Sequence, residues 1–163
     1  MVEVRKHASI SECRKFRYRL WREWGCGSPL LFVMLNPSTA DAVEDDATIR
    51  RCIRFAEAHN FGRMEVVNLF AYRATDPKDL RRAGYPVGPE NDRHIAEAVM
   101  DSAAVCLAWG AHAAGLARPG EVMKLLHSMK VRPQCLRVTR GGYPQHPLML
   151  PSSCRLIPFG EVP

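Results

Sequence analysis

The sequence predicts an α/β fold, a three-layer α/β/α sandwich on a mainly parallel four-stranded sheet with an N-terminal hairpin strand. Three observations predict it. Apolar runs at 30–35, 64–70, 103–109 and 134–138 have the continuity of strands buried on both faces. Segments of helical period separate them, and strands alternating with helices make parallel βαβ units. No repeat, low-complexity stretch or linker divides the 163 residues, so they read as one domain, 1–163.

The elements follow in order. In FRYRLWRE, residues 16–23, Phe16, Tyr18 and Leu20 alternate with Arg17 and Arg19, the period of a half-exposed edge strand. Gly25, Gly27, Ser28 and Pro29 supply a turn into Leu30–Leu35, and the two strands are expected to form an opening hairpin. Asp45 or Asp46 caps a helix to about His59, with Ile49, Cys52, Ile53 and Ala56 on one side. Met64–Phe70 is the next strand, followed by a long loop, AYRATDPKDLRRAGYPVGPEND. Pro89–Glu90–Asn91 starts a helix through about Ser102, and Ala103–Trp109 is a third strand. Val122, Leu125, Leu126 and Met129 give one face to a helix over 117–129. Gln134–Val138 is the fourth strand, and Arg155–Ile157 a short closing element. Right-handed crossovers then bring all four strand ends to one edge, where open α/β sheets bind ligands.

Composition narrows the class. A hydrophobic fraction of 47% and a charged fraction of 25% are those of a globular protein. No apolar run reaches membrane-spanning length, and MVEVRKHASISE lacks a signal-peptide core, so no membrane partner and a cytoplasmic location are expected. The six cysteines include no C-x-x-C pair, which argues against zinc or an iron–sulfur cluster; no metal or cofactor is implied. The formal charge of +6 fits a polyanionic partner, because neutralised phosphates dominate nucleic-acid affinity. It equally fits a surface that is merely basic.

Four motifs stand at the strand ends. In Asn36-Pro37-Ser38 the proline holds Asn36 extended, fixing its carboxamide for a water or a ligand, or simply making a turn. Asn68 interrupts the apolar MEVVNLF, and its donor and acceptor suit a base edge or a neighbouring backbone. Trp109-Gly110 ends a strand, and the indole can stack a base or fill the core. His146 lies in GGYPQHP, a loop of unusual path, where it can donate to charge developing on a leaving group. His59, His94, His112 and His127 read as surface residues of helices. The acidic run Asp41, Glu44, Asp45 and Asp46 admits two readings, a general base or hard-cation site on Asp41 and Asp45, or helix capping and arginine pairing.

These motifs, LNPS, VVNLF, CLAWG and QHPLML in that order, are similar to those of the uracil-DNA glycosylase superfamily. NPSTADAVEDDATIRRC, VVNLFAYRAT, PVGPEND, AWG and HPLML also resemble a narrower family known as domain of unknown function 1643. The superfamily resemblance implies a uracil-DNA-glycosylase-like fold in which Asn36 positions water and His146 stabilises the departing base. It implies base binding by Asn68 and a wedge at Leu150 or another residue of HPLML. Ser38, Trp109 and Gly110 are expected beside the base, and Arg73, Arg140, Tyr143 and Leu150 are expected to contact nucleic acid. Ser38 stands where the uracil-specific enzymes carry a bulky tyrosine, so exclusion of 5-substituted pyrimidines is not expected. The leading expectation is a nucleobase-binding protein that releases a modified or deaminated base from nucleic acid or nucleotide. A non-catalytic binder of nucleic acid, and a cation-dependent hydrolase using Asp41–Asp46, are the alternatives.

Overall fold

A computed structural model describes residues 3–160. The ends of the expected domain, 1–2 and 161–163, lie outside the described residues. The elements are β1 (Arg5–Ile10), β2 (Arg17–Glu23), β3 (Leu30–Met34), α1 (Ala47–Ala58), β4 (Arg63–Asn68), α2 (Pro77–Arg82), α3 (Asn91–Asp101), β5 (Ala104–Leu107), α4 (Arg118–Ser128), β6 (Gln134–Cys135) and β7 (Ile157–Pro158). Short 3-10 turns lie at Ala111–Ala113 and Pro147–Met149.

The sheet corrects the expectation of a mainly parallel four-stranded one. It has seven strands in the order β1-β2-β4-β3-β5-β6-β7 and is mixed. β4, β3, β5 and β6 are parallel, whereas β1·β2, β2·β4 and β6·β7 are antiparallel. The expected hairpin of residues 16–23 with Leu30–Leu35 is also absent. β2 pairs with β1 on one side and β4 on the other, so it is no edge strand. The reason lies in the turn after β2. Trp24 and Gly25 donate their N–H groups to the carbonyl of Gly62 at 3.0 and 2.8 Å, tying this turn to the entrance of β4. A Cβ on Gly62 would stand 2.7 Å from the backbone of Cys26, so the two stretches of backbone meet this closely only through glycine. β4 therefore occupies the place beside β2 that a tight hairpin would have given to β3.

Side-chain alternation on β3 builds two cores. Leu31 and Val33 pack with Ile95 and Val99 of α3, Leu80 of α2, and Val122 and Leu126 of α4. Leu30, Phe32 and Met34 pack with Ile49, Cys52 and Phe55 of α1 on the opposite face. Asp46 caps α1 by accepting from the Ile49 N–H at 2.8 Å. α2, inside the segment read as a loop, is capped by Asp76 and buries only Leu80.

The acidic run is organised by Arg22 of β2, which is fully buried. Its Nε donates to Asp45 at 2.7 Å, and its remaining nitrogens donate to the carbonyls of His7, Trp21, Asp41 and Glu44. Lys6 adds a second bond to Asp45 at 3.0 Å. Burial pushes the Asp45 carboxyl up, but the bonds and charges of Arg22 and Lys6 outweigh it and hold the group below the ordinary range. Asp41 accepts the Val43 and Glu44 N–H groups, each at 2.8 Å, which closes the loop on itself.

Removing the guanidinium takes a donor from four carbonyls and leaves Asp45 with Lys6 alone. Arg22→Met is expected to lower the unfolding free energy by about 3 kcal/mol, measured by urea denaturation, with Asp41→Ala losing less. A loss for Arg22→Met within about 0.5 kcal/mol, the scale of an ordinary surface substitution, would contradict this role.

Candidate functional site

The strand ends open onto a cavity of about 630 Å³. Its β3 wall carries Asn36. The ladder continues past the strands, with the Leu69 and Phe70 N–H groups donating to Met34 and Leu35 at 2.9 and 3.0 Å, so Asn36 leaves the sheet beside the end of β4. Its Nδ2 donates to the carbonyls of Ala74 at 2.8 Å, Pro37 at 3.0 Å and Tyr72 at 3.4 Å. Only an NH₂ can serve three carbonyls, which fixes the amide's orientation. Oδ1 is the free end.

Asn68 closes β4 opposite Met34 and lines the cavity. It is 1% exposed, and among the described residues neither Nδ2 nor Oδ1 has a partner. A buried polar atom left so costs about 1–3 kcal/mol. Its backbone, by contrast, is held firmly. Asn91 at the start of α3 donates to the carbonyls of Asn68 and Leu69 at 2.9 and 3.2 Å, and Arg118 of α4 donates to Leu69 at 2.7 Å. These two residues position the strand end from the far face of the sheet.

The third wall is Trp109-Gly110, after β5. Trp109 packs edge-on against Phe159, lies within the α3/α4 core and also lines the cavity, its Nε1 buried without a partner. Gly110 adopts φ +75°, donates to the Pro144 carbonyl at 2.8 Å and sits where an added Cβ would come within 3.5 Å of the His146 Cβ. That contact joins the strand end to the histidine loop.

The loop is a small hairpin. Thr139 and Tyr143 exchange backbone and side-chain bonds, and Gln145 donates to the Arg137 carbonyl at 2.8 Å. It brings Thr139, Arg140, Gln145 and His146 to the cavity. The Leu148 N–H donates to Nδ1 of His146 at 3.2 Å, so Nδ1 is the unprotonated nitrogen and Nε2–H the free donor. Burial pushes the imidazole below its ordinary range, Asp46 opposes this, and His112 adds to it. The ring is neutral near pH 7.

Asn36, Ser38, Asn68, Trp109, Gly110, Arg140 and His146 therefore meet around one cavity. Asp41 and Asp45 do not line it and are engaged by the loop and by Arg22. Arg73 borders a neighbouring shallow depression, and the Tyr143 ring covers Gly141. Leu150 needs correction as a wedge. It is 1% exposed in the α1 core, and Arg51 donates to its carbonyl, while Leu148 and Met149 are the exposed side chains of that turn.

Sequence reasoning missed several lining residues. Asp46, read as a cap, is both the cap and the one carboxylate lining the cavity among the described residues. His112 follows Gly110 on a 3-10 turn rather than a helix, and reaches the rim. Strand alternation predicts Arg17 on the exposed face of β2, yet it is 2% exposed. Ser9 pairs with Arg19 and Ile10 with Arg17, leaving Tyr18 as an extra residue on β2. This bulge sends Tyr18 onto His94 of α3 and returns Arg17 to the cavity face, where Nη1 donates to the Ala40 carbonyl at 2.7 Å. Alternation alone gives no signal for such an insertion.

Comparison with curated proteins and with solved structures returns no match. A family model matches residues 17–148, a span that opens on Arg17 and contains every lining residue of the cavity, so the chain belongs to the family described as Protein of unknown function (DUF1643).

Proposed function

We propose that the cavity binds a nucleobase and that the protein is an N-glycosidase of the uracil-DNA glycosylase type, releasing a modified or deaminated base from nucleic acid or nucleotide. One observation carries the reading: both polar atoms of the Asn68 carboxamide are buried, unpartnered and set in the cavity wall. A side chain offering one donor and one acceptor side by side is complementary to the pairing edge of a base.

The neighbours fit the chemistry. Oδ1 of Asn36 accepts from a water and orients it toward the anomeric carbon. The water oxygen forms the new bond to that carbon as the C–N bond breaks, and the bonding pair leaves with the base. Nε2–H of His146 donates to the charge arriving on the base. Asn36 cannot take the water's proton. The free oxygen of Asp46 is the carboxylate acceptor available in the cavity, and solvent is the alternative. Leu148 and Met149, rather than Leu150, are the side chains at the surface that would fill the gap left by an extruded nucleotide.

The direct test is release of free base from oligonucleotides carrying deaminated or modified bases. His146→Ala is expected to lower kcat by about 10²–10³-fold, the range for loss of one charge-stabilising donor. Base binding without release by the wild type would reduce the protein to a binder, and no binding of any base would overturn the reading.

The pH profile separates a neutral donor from a cationic one. Because burial pushes His146 down, the neutral ring persists through the ordinary histidine value of about 6.5. The kcat is expected to stay level from pH 8 to about that value and to fall only below it. A rate that rises as the ring protonates would exclude Nε2–H of a neutral imidazole as the donor.

Asn68 gives a test that needs no turnover. In the free protein its carboxamide is buried without a partner, so an apolar side chain of similar size removes a penalty. Asn68→Leu is expected to raise the unfolding free energy by about 1 kcal/mol while abolishing base binding, checked by urea denaturation and calorimetric titration. A loss of stability would mean that the carboxamide serves the fold.

A further inference from the structure

Arg17 differs from the other buried arginines. Arg22 is served by four carbonyls and Asp45, and Arg118 by the Leu69 carbonyl, Asp92 and Glu121. The Arg17 guanidinium donates to a single acceptor among the described residues, the Ala40 carbonyl. Its Nε is buried without any partner, and it forms no ion pair among the described residues. Asp46 shares the cavity and favours its charge, while Arg22 and Arg73 oppose it. Burial pushes the guanidinium down to about 10, which leaves it cationic at neutral pH.

A buried cation with an unserved N–H is costly unless something completes it. The fold goes out of its way to create this situation, because without the bulge at Tyr18 strand alternation would place Arg17 on the α3 face with Arg19. We propose that Arg17 is a ligand-binding residue of the cavity and recognises an oxygen acceptor on the ligand, either an exocyclic carbonyl of an oxo-nucleobase or a phosphate oxygen of a nucleotide. The proposal rests on the reading of the cavity as a nucleobase or nucleotide site and narrows it. Guanidinium offers donors alone, so it discriminates by what faces it. A carbonyl or phosphate oxygen completes Nε, whereas the exocyclic amino group of cytosine or adenine presents a second donor and leaves both unpaired. Asn68 can turn toward either kind of edge, so Arg17 is the group that decides between them.

Two measurements test this. In the wild-type protein, the Nε–Hε resonance of Arg17 is followed by NMR during addition of uracil, hypoxanthine, cytosine, adenine and inorganic phosphate. Calorimetry then compares the same probes on the wild type, Arg17→Met and Arg17→Lys, each checked for folding by its unfolding midpoint. Uracil or hypoxanthine is expected to shift the resonance and to bind at least about tenfold more tightly than its amino counterpart, the loss typical of a charged hydrogen bond. Arg17→Met is expected to erase that preference, with Arg17→Lys retaining part of it. Should phosphate shift the resonance and compete in an Arg17-dependent way, the oxygen is the nucleotide's. Bases that bind the wild type and Arg17→Met with the same preference would overturn the role of Arg17 and leave the nucleobase reading standing. Phosphate binding through Arg17 with no base binding would do the reverse. An unmoved resonance with every probe would overturn the proposal outright.

Discussion

Parallel pairing of β3 with both β4 and β5 is the constraint on which the rest of this molecule depends. It ends three strands at one edge, and the hydrogen bonds that continue beyond them, from Leu69, Phe70 and Ala108 to the carbonyls of β3 and its extension, keep those ends abreast. Asn68 is the last residue of β4, and Asn36 and Trp109-Gly110 lie two or three residues past the ends of β3 and β5. Their proximity is thus a property of register, and a slip in either pairing would separate them. Loops supply the remaining wall, and each is tied back to the edge: the histidine loop through Gly110, the stretch after β4 through Nδ2 of Asn36.

Around this edge, buried arginines order the connecting backbone. Arg22 gathers the carbonyls of the acidic loop and so delivers Asp46 to the start of α1, where it caps the helix and faces the cavity. Arg118 and Asn91 hold the end of β4 from the opposite layer. A guanidinium suits this work because its planar fork meets several carbonyls at fixed angles without a proton to lose. The acidic run is therefore best understood through its partners. Asp45 serves Arg22, Asp41 serves its own loop, and Asp46 alone is left beside the site.

How much of this could be read from the chain depended on whether burial left a mark in composition. β3, β4 and β5 were legible because strands covered on both faces must be continuously apolar, and the polar residues at their ends stood out. The pairing order was not, since apolar continuity says nothing of a strand's neighbour; that was settled by the Gly25–Gly62 contact. β1, with the sequence RKHASI, has an exposed edge and no apolar run to betray it. α2 hides among turn residues because a helix of six residues needs to bury only Leu80. Asn36, Asn68, Trp109 and His146 were visible as candidates, whereas Arg17 was placed on the wrong side by the same alternation that identified its strand. Leu150 was misplaced by a comparable limit, because HPLML does not say which of its apolar residues turns inward.

Buried polar atoms without a partner show what the cavity wall is prepared to hold. Eight buried side-chain nitrogens and oxygens lack a partner among the described residues, and four of them belong to Arg17, Asn68 and Trp109, all on the cavity wall. Each costs stability in the free protein, and the remainder of the molecule shows that the fold can satisfy such groups when it needs to, as it does for every nitrogen of Arg22. Scattered orphans would indicate imperfect packing. The other four, on Arg51, Arg63, Asn91 and His94, lie away from the cavity lining, whereas the four that converge on the cavity from β2, β4 and the stretch after β5 indicate groups held ready for atoms that are not part of the chain. Their types define those atoms: a donor and acceptor from Asn68, a cationic donor from Arg17 and an indole N–H from Trp109, which together ask for a small polar ligand richer in acceptors than in donors. An oxo-nucleobase, the ligand proposed above, meets that description, and its binding would restore the stability that these atoms cost the free protein.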